Sequence, residues 1–164
     1  MNKKEAFALM SDQLAKGALL TVSDGKTVNT MTIGWATTGI VWGKDVMTVM
    51  VRYSRHTYDI IKNASSFTVC IPVAGEMKSE LALMGTKSGR DMDKYAATGL
   101  KLKDAKSVDT PVIEGAAAYY ECDIIYTQAM DPSGIIPGKG VQERYYEGNN
   151  DYHVIFYGEI KECY

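Results

Sequence analysis

The strongest constraint on this chain is a turn. ALLTVS and TVNTMTIGW flank SDGK, and Asp24-Gly25 is a hairpin dipeptide because both residues tolerate positive φ. Further β-rich runs follow: DVMTVMVRY, SSFTVCIP ending at Pro72, VIEGAAAYYECDIIYTQ after Pro111 as one strand or two joined by a bend, and DYHVIFYGEI. The helical segments between them are short. Mostly strands with short helices predict a closed or half-open antiparallel barrel, a mainly β fold with short α-helices.

The helical signals are local. Phe7, Met10 and Leu14 recur at three- and four-residue steps, with Gly17 as the stop. MKSELALM reads as a helix ending before the polar loop GTKSGRD, and DMDKYAATG as another closed by Gly99. VRYSRHTYDII, residues 51–61, opens as a strand and closes as a helix reaching about Asn63, with Ser54 as the expected N-cap. Residues 131–150 hold two of the four prolines and four glycines and are the least regular stretch, suited to a lid, a partner-facing arm or a mobile loop.

At 164 residues, without repeats or low-complexity tracts, the chain reads as one domain spanning 1–164. Lys plus Arg is 18 against 20 for Asp plus Glu, a net charge of −2, which argues against a nucleic-acid surface but not against a local cationic pocket. Cys70, Cys122 and Cys163 are far apart and form no CxxC, so a disulfide framework or zinc site is not expected. No run approaches the length of a membrane span, and the first residues do not form a secretory signal. A reduced, cytoplasmic protein is the expectation.

Cations and hydroxyls concentrate at the strand-to-helix joint. Arg52, Ser54, Arg55 and Thr57, with free N–H groups at a helix start, suit a phosphate; capping plus surface charge explains the same residues. GTKSGRDMDK adds Lys87, Ser88, Gly89, Arg90 and Lys94 without the spacing of a P-loop, and its alternative is a solvated loop. In NTMTIGW, Asn29 and Thr32 can bond the polar edge of a heteroaromatic ring, while Met31 and Trp35 offer flat or polarizable contact; an ordinary strand with Trp35 in the core is the competing reading. His153, in DYHVIFYGEI, either meets ligand or serves as a structural hydrogen-bonder.

Taken in order, NTMTIGW, GIVWGKD, VRYSRHTYDII, SSFTVCIP, GTKSGRDMDK, TPVIE and DYHVIFYGEI resemble the flavin reductase-like, FMN-binding split-barrel family. Within it, the pattern is similar to flavoredoxin and related flavin reductases of anaerobic microbes. The resemblance implies a Greek-key split β-barrel that forms a homodimer and holds FMN in a cleft near the subunit interface. It places Asn29, Met31, Thr32 and Trp35 along the isoalloxazine or ribityl side. Arg52, Ser54, Arg55 and Thr57 fall at the phosphate end, assisted by Ser88, Gly89 and Lys94, with His153 reaching the flavin from the last strand or from the other subunit. It also implies NAD(P)H as a transient co-substrate and a redox protein or small molecule as acceptor. The alternative is an electron carrier without nicotinamide activity. Tyr53 and Asp45 stand where relatives often carry proline, a departure that bears on substrate access more than on flavin binding.

Overall fold

The computed structural model describes residues 2–164. The chain opens with α1 (Lys3–Gln13), extended by a 3₁₀ turn to Lys16 and stopped at Gly17, whose φ of 118° lies outside the range favoured by L side chains. Asn2 and Glu5 form a reciprocal capping box at its start. The strands β1 (Ala18–Ser23) and β2 (Val28–Ile33) form the expected hairpin around Asp24-Gly25, with Gly25 at φ 82°. Then follow β3 (Ala36–Val41), β4 (Lys44–Arg52), α2 (His56–Ile61), β5 (Ser66–Ile71), α3 (Lys78–Thr86) and α4 (Lys94–Thr98). The chain continues with β6 (Leu102–Lys103), β7 (Val112–Ile113), β8 (Ala118–Ala129), α5 (Val141–Tyr145) and β9 (His153–Cys163).

Seven strands form one sheet in the order β2-β1-β5-β8-β9-β4-β3, every neighbouring pair antiparallel. The two outermost strands, β2 and β3, are consecutive in the chain, and only Gly34 and Trp35 separate them. Three residue steps span at most roughly 11 Å. The sheet must therefore curl until its edges nearly meet, although β2 and β3 share no ladder. The result is a Greek-key barrel left open along one seam. The long β-like region after Pro111 is two strands, β7 and β8, separated by a turn with Gly115 at φ 83°.

Apolar residues of both faces are used. Leu20, Val22, Met47, Val49, Phe67, Val69, Tyr120 and Phe156 fill the barrel, and α1 closes it with Ala6, Met10 and Phe7, whose ring stacks on Tyr120 at 6.0 Å. On the outside, Leu19 of β1 and Cys70 of β5 pack with Met84 of α3 and with Val112 and Ile113. Strands covered on both sides explain why ALLTVS and SSFTVCIP are nearly continuous apolar runs. Cys70 and Cys122 are buried free thiols, as small hydrophobes are, and burial pushes the Cys70 thiol up to about 12. No β-carbon fits at Gly158, where one would stand 2.6 Å from Cys122 and from Phe67.

The joint at residues 52–57 differs from expectation in two respects. Helix α2 ends at Ile61, and its N-cap is Arg55, which makes no side-chain cap bond. Ser54 does not cap the helix. Its N–H and its hydroxyl both donate to the Asp151 carboxylate, at 3.1 and 2.5 Å. The charge-assisted bonds to this carboxylate hold Ser54 one residue ahead of the N-cap position.

Candidate functional site

Two adjoining cavities, of about 250 and 180 Å³, open beside the seam and share Met31, Arg52 and Arg55. Edge strand β2 supplies Asn29 and Met31, the end of β4 supplies Arg52, the first turn of α2 supplies Arg55 and Thr57, and the loop after α3 supplies Ser88 and Gly89. The second cavity runs along Thr32, Gly34 and Trp35 to His153 at the start of β9. All twelve residues singled out in the sequence line one cavity or the other: Asn29, Ser54, Thr57, Ser88, Gly89 and Lys94 the first; Thr32, Trp35 and His153 the second; and the three shared residues both.

Lys94 is the most unusual of them. Its side chain is buried, 4% exposed, because from the first position of α4 it lies against the backbone of β2 and α3. The ammonium donates to the Thr30 carbonyl at 2.5 Å and, at 3.4 Å, to that of Met84. No carboxylate pairs with it among the described residues. Burial, and then the nearby Arg55 guanidinium, hold its pKa down to about 8. Burying a cation beside a second cation is unfavourable unless an anion joins them.

Around Lys94 the wall is made of close backbone and short side chains. Arg55 Nη1 donates to the Gly85 carbonyl at 3.1 Å. Asn29 Nδ2 donates to the Thr57 hydroxyl at 2.9 Å, and both residues are buried. A β-carbon at Gly89 would stand 2.6 Å from Asn29 Oδ1 and 3.0 Å from the His56 ring, so only glycine lets this loop approach so closely. Arg90 braces the loop against α2, pairing with Asp59 at 2.5 Å and donating to the Ser54 carbonyl at 3.2 Å.

Three expected ligand groups are partly committed elsewhere. Arg52 donates to the carbonyls of Asp151 (2.7 Å) and Tyr145 (3.0 Å) and lies 5.2 Å over the Tyr146 ring, so its guanidinium fastens the 145–151 segment to β4. Ser54 is held by Asp151, and the Thr32 hydroxyl donates to the Leu81 carbonyl at 2.6 Å. Trp35 is partly exposed rather than core, with its ring edge-on to Tyr145 at 4.8 Å and tilted against His153 at 5.1 Å. Asp151, Asn149 and Tyr145 were not singled out in the sequence, although Asp151 stands in the same D-Y-H triplet as His153.

The flavin reductase like domain family matches residues 11–164, and the chain belongs to it. Flavoredoxin from Methanosarcina acetivorans is similar in structure: TM-score 0.68 at 23% identity, covering 90% of this chain and 67% of that one. So is an FMN-binding domain of a flavin reductases-like enzyme from Shewanella baltica OS155, at TM-score 0.70 and 18% identity, covering 99% of this chain and 74% of that one. The NADH:FAD oxidoreductase of Streptomyces globisporus gives TM-score 0.67 at 18% identity, over 90% of this chain and 73% of its own. An uncharacterized curated protein of Archaeoglobus fulgidus is 29% identical over 106 residues, which is 65% of this chain and 59% of that protein. These likenesses agree with the split-barrel fold expected from the sequence motifs.

Proposed function

We propose that the chain binds FMN across the two cavities and is an NAD(P)H-dependent flavin oxidoreductase. The observation that carries the reading is Lys94, a buried cation without a counter-ion among the described residues and beside Arg55, in a cavity also walled by Thr57, Ser88 and Gly89. A phosphate monoester supplies the missing negative charge, and Arg55 adds forked donors to it. The second cavity, walled by Met31, Trp35 and Met50, suits a flat ring, with Met31, Arg52 and Arg55 shared between the two and Asn29 in the first.

Bound FMN supplies the redox chemistry; the chain binds, orients and polarises it. Lys94 and Arg55 hold the phosphate end. Trp35 and Tyr145 line the ring cavity and offer it aromatic surface. The chain has no G-x-G-x-x-G motif, so a nicotinamide donor docks transiently at the open seam. The electron acceptor is a small molecule or a redox protein.

A homodimer is part of the proposal. The outer half of β8 is uncovered from Ile125 to Ala129, and Tyr126 meets exposed Trp42 at 5.6 Å and Tyr157 at 5.2 Å. An apolar, aromatic surface of this kind suits a second copy. A cytoplasmic setting belongs to the same reading. Sedimentation at micromolar concentration is expected to give twice the 18.1 kDa chain mass.

The reading is tested by mixing FMN-loaded protein anaerobically with NADH and with NADPH. Prompt bleaching of the yellow chromophore is expected with one or both. Bleaching with neither, together with reduction by a redox protein, would leave an electron carrier of the flavoredoxin type in its place. Gly89→Ala forces the loop off Asn29 and His56, an overpacking worth about 1–3 kcal/mol. FMN affinity is expected to fall by about tenfold, as read by quenching of flavin fluorescence. Unchanged affinity would show that the 88–90 turn does not shape the ligand site.

A further inference from the structure

We infer that His153 presents a fixed Nε2–H donor to an acceptor atom on the ring held in the second cavity, and that Tyr146 is the positioning residue that fixes it; this rests on the flavin-binding reading. The geometry is asymmetric. Nδ1 of His153 lies 2.7 Å from the Tyr146 hydroxyl, on the buried side of the ring. His153 also lines the cavity, and Nε2 makes no hydrogen bond to the described residues and is not sealed from solvent. One nitrogen is used by the protein and the other is left for a ligand.

Which nitrogen carries the proton follows from Tyr146. That residue is 2% exposed, and its hydroxyl has no other hydrogen-bond partner among the described residues. If the hydroxyl accepted from Nδ1–H, its own proton would be buried without an acceptor, an arrangement folded proteins avoid. If it donates to Nδ1, every buried polar atom of the pair is satisfied and the ring proton sits on Nε2. The charged groups around the ring do not reverse this. The Arg52 terminal nitrogens are bonded to the carbonyls of Asp151 and Tyr145, and Arg55 Nη1 to that of Gly85. The Asp151 carboxylate is taken up by Ser54. Burial, with Arg52 next in effect, lowers the His153 pKa to about 4, so the ring is neutral across the working range.

A neutral donor at this position selects a class of ligand atom. It recognises a carbonyl oxygen or an unprotonated ring nitrogen at the edge of a conjugated ring lying along Trp35. It rejects a ligand that offers only an N–H there, because two donors cannot bond. The role is therefore ring orientation through hydrogen bonding, not charge stabilisation by an imidazolium.

The test is nitrogen-15 NMR of the imidazole rings at pH 7, with His153→Gln used to separate its signals from those of His56. Ligand-free protein is expected to show the Nε2–H tautomer in at least about tenfold excess, the preference one buried hydrogen bond gives. Tyr146→Phe keeps the ring and is expected to bring both tautomers into comparable population. An Nδ1–H tautomer in the unsubstituted protein, or a ratio unmoved by Tyr146→Phe, overturns the assignment. Riboflavin, a ring without the phosphate, is then titrated in. The His153 Nε2 signal is expected to move on binding while that of His56 stays. Riboflavin binding seen by fluorescence with an unmoved His153 signal overturns the ligand contact. If neither FMN nor riboflavin binds, the functional reading fails and the ligand contact with it, whereas the tautomer of the free protein still decides the role of Tyr146.

Discussion

Lys94→Met is expected to lower FMN affinity by about 100-fold while leaving the protein at least as stable as before. A hydrogen-bonded contact to a charged group contributes about 1.5–3 kcal/mol, and a second share of charge attraction is lost in the same low-dielectric cavity. In the ligand-free chain, however, the ammonium is buried, paired with no carboxylate among the described residues, and set beside Arg55. Replacing such a charge by an apolar side chain of similar length removes a desolvation penalty that offsets the hydrogen bonds to the Thr30 and Met84 carbonyls lost with it. Ligand affinity and fold stability therefore move in opposite directions. Riboflavin separates the terms further, since without a phosphate it is expected to bind the variant within about threefold of the parent. Fluorescence titration and urea midpoints read the two effects. Equal losses for FMN and riboflavin would remove Lys94 from the phosphate end.

The same residue sets a pH dependence whose sign is fixed. Lys94 titrates near 8 in the fold and near its ordinary 10.5 in the unfolded chain. Below about 8 both states hold the proton and the burial penalty is present in full. Between about 8 and 10.5 the unfolded chain holds more protons than the fold, so this group makes stability rise with pH. A bound phosphate favours the charged ammonium, so FMN affinity falls as pH rises through about 8 and the complex takes up a proton there. A phosphate monoester has its own second ionisation centred near pH 6, below that window. In Lys94→Met the slope above pH 8 is expected to vanish.

Local chemistry made much of this fold legible. Asp24-Gly25 marks a hairpin, Gly99 ends α4 in the left-handed conformation, and the two-sided apolar runs become strands covered on both faces. The polar clusters were legible as clusters: Asn29, Arg55, and Ser88 with Lys94 come from three separate stretches and meet at one cavity. What no local pattern carries is a partner chosen across the chain. Ser54 has the composition of an N-cap, yet its hydroxyl goes to Asp151, 97 residues away. Arg52 looks like a free cation, yet it binds carbonyls more than 90 residues distant. The burial of Lys94 is similarly invisible, because DMDKYAATG reads as an exposed polar helix start. Such contacts depend on how the barrel curls, which the hydrophobic period constrains only as a whole.

Glu121→Ala is expected to be the most destabilising single change outside the apolar core. In AYYECDIIYTQA this glutamate lies on the outer face of β8, opposite to Tyr120 and Cys122, yet it is 0% exposed because the connection through Lys106 and Ser107 covers it. Its carboxylate accepts from the Lys106 and Ser107 N–H groups at 2.7–3.0 Å, from the Ser107 hydroxyl at 2.7 Å and from the Tyr164 hydroxyl at 2.8 Å. It thereby pins the 104–110 connection and the last residue of β9's extension to the same strand. Burial raises its pKa, but the hydrogen bonds from Lys106, Ser107 and Tyr164 together outweigh burial and hold the carboxyl below its ordinary value. Removing the carboxylate leaves those donors without an acceptor, a loss of about 3–4 kcal/mol from a total of about 5–15. For a domain of this size that corresponds to a melting temperature lower by about 10 °C. Glu121→Gln keeps one acceptor oxygen and is expected to fall between the two. Because the folded pKa is depressed, the stabilisation is present above the unfolded value of 4.5 and is lost as pH falls through the folded one. Acid unfolding of Glu121→Gln should accordingly be shallower below pH 4.5, while its FMN affinity at pH 7 stays unchanged, since Glu121 lines neither cavity of the site. A Glu121→Ala protein that melts within about 2 °C of the parent would mean that water replaces the carboxylate at no cost, and that the loop is held by its apolar contacts alone.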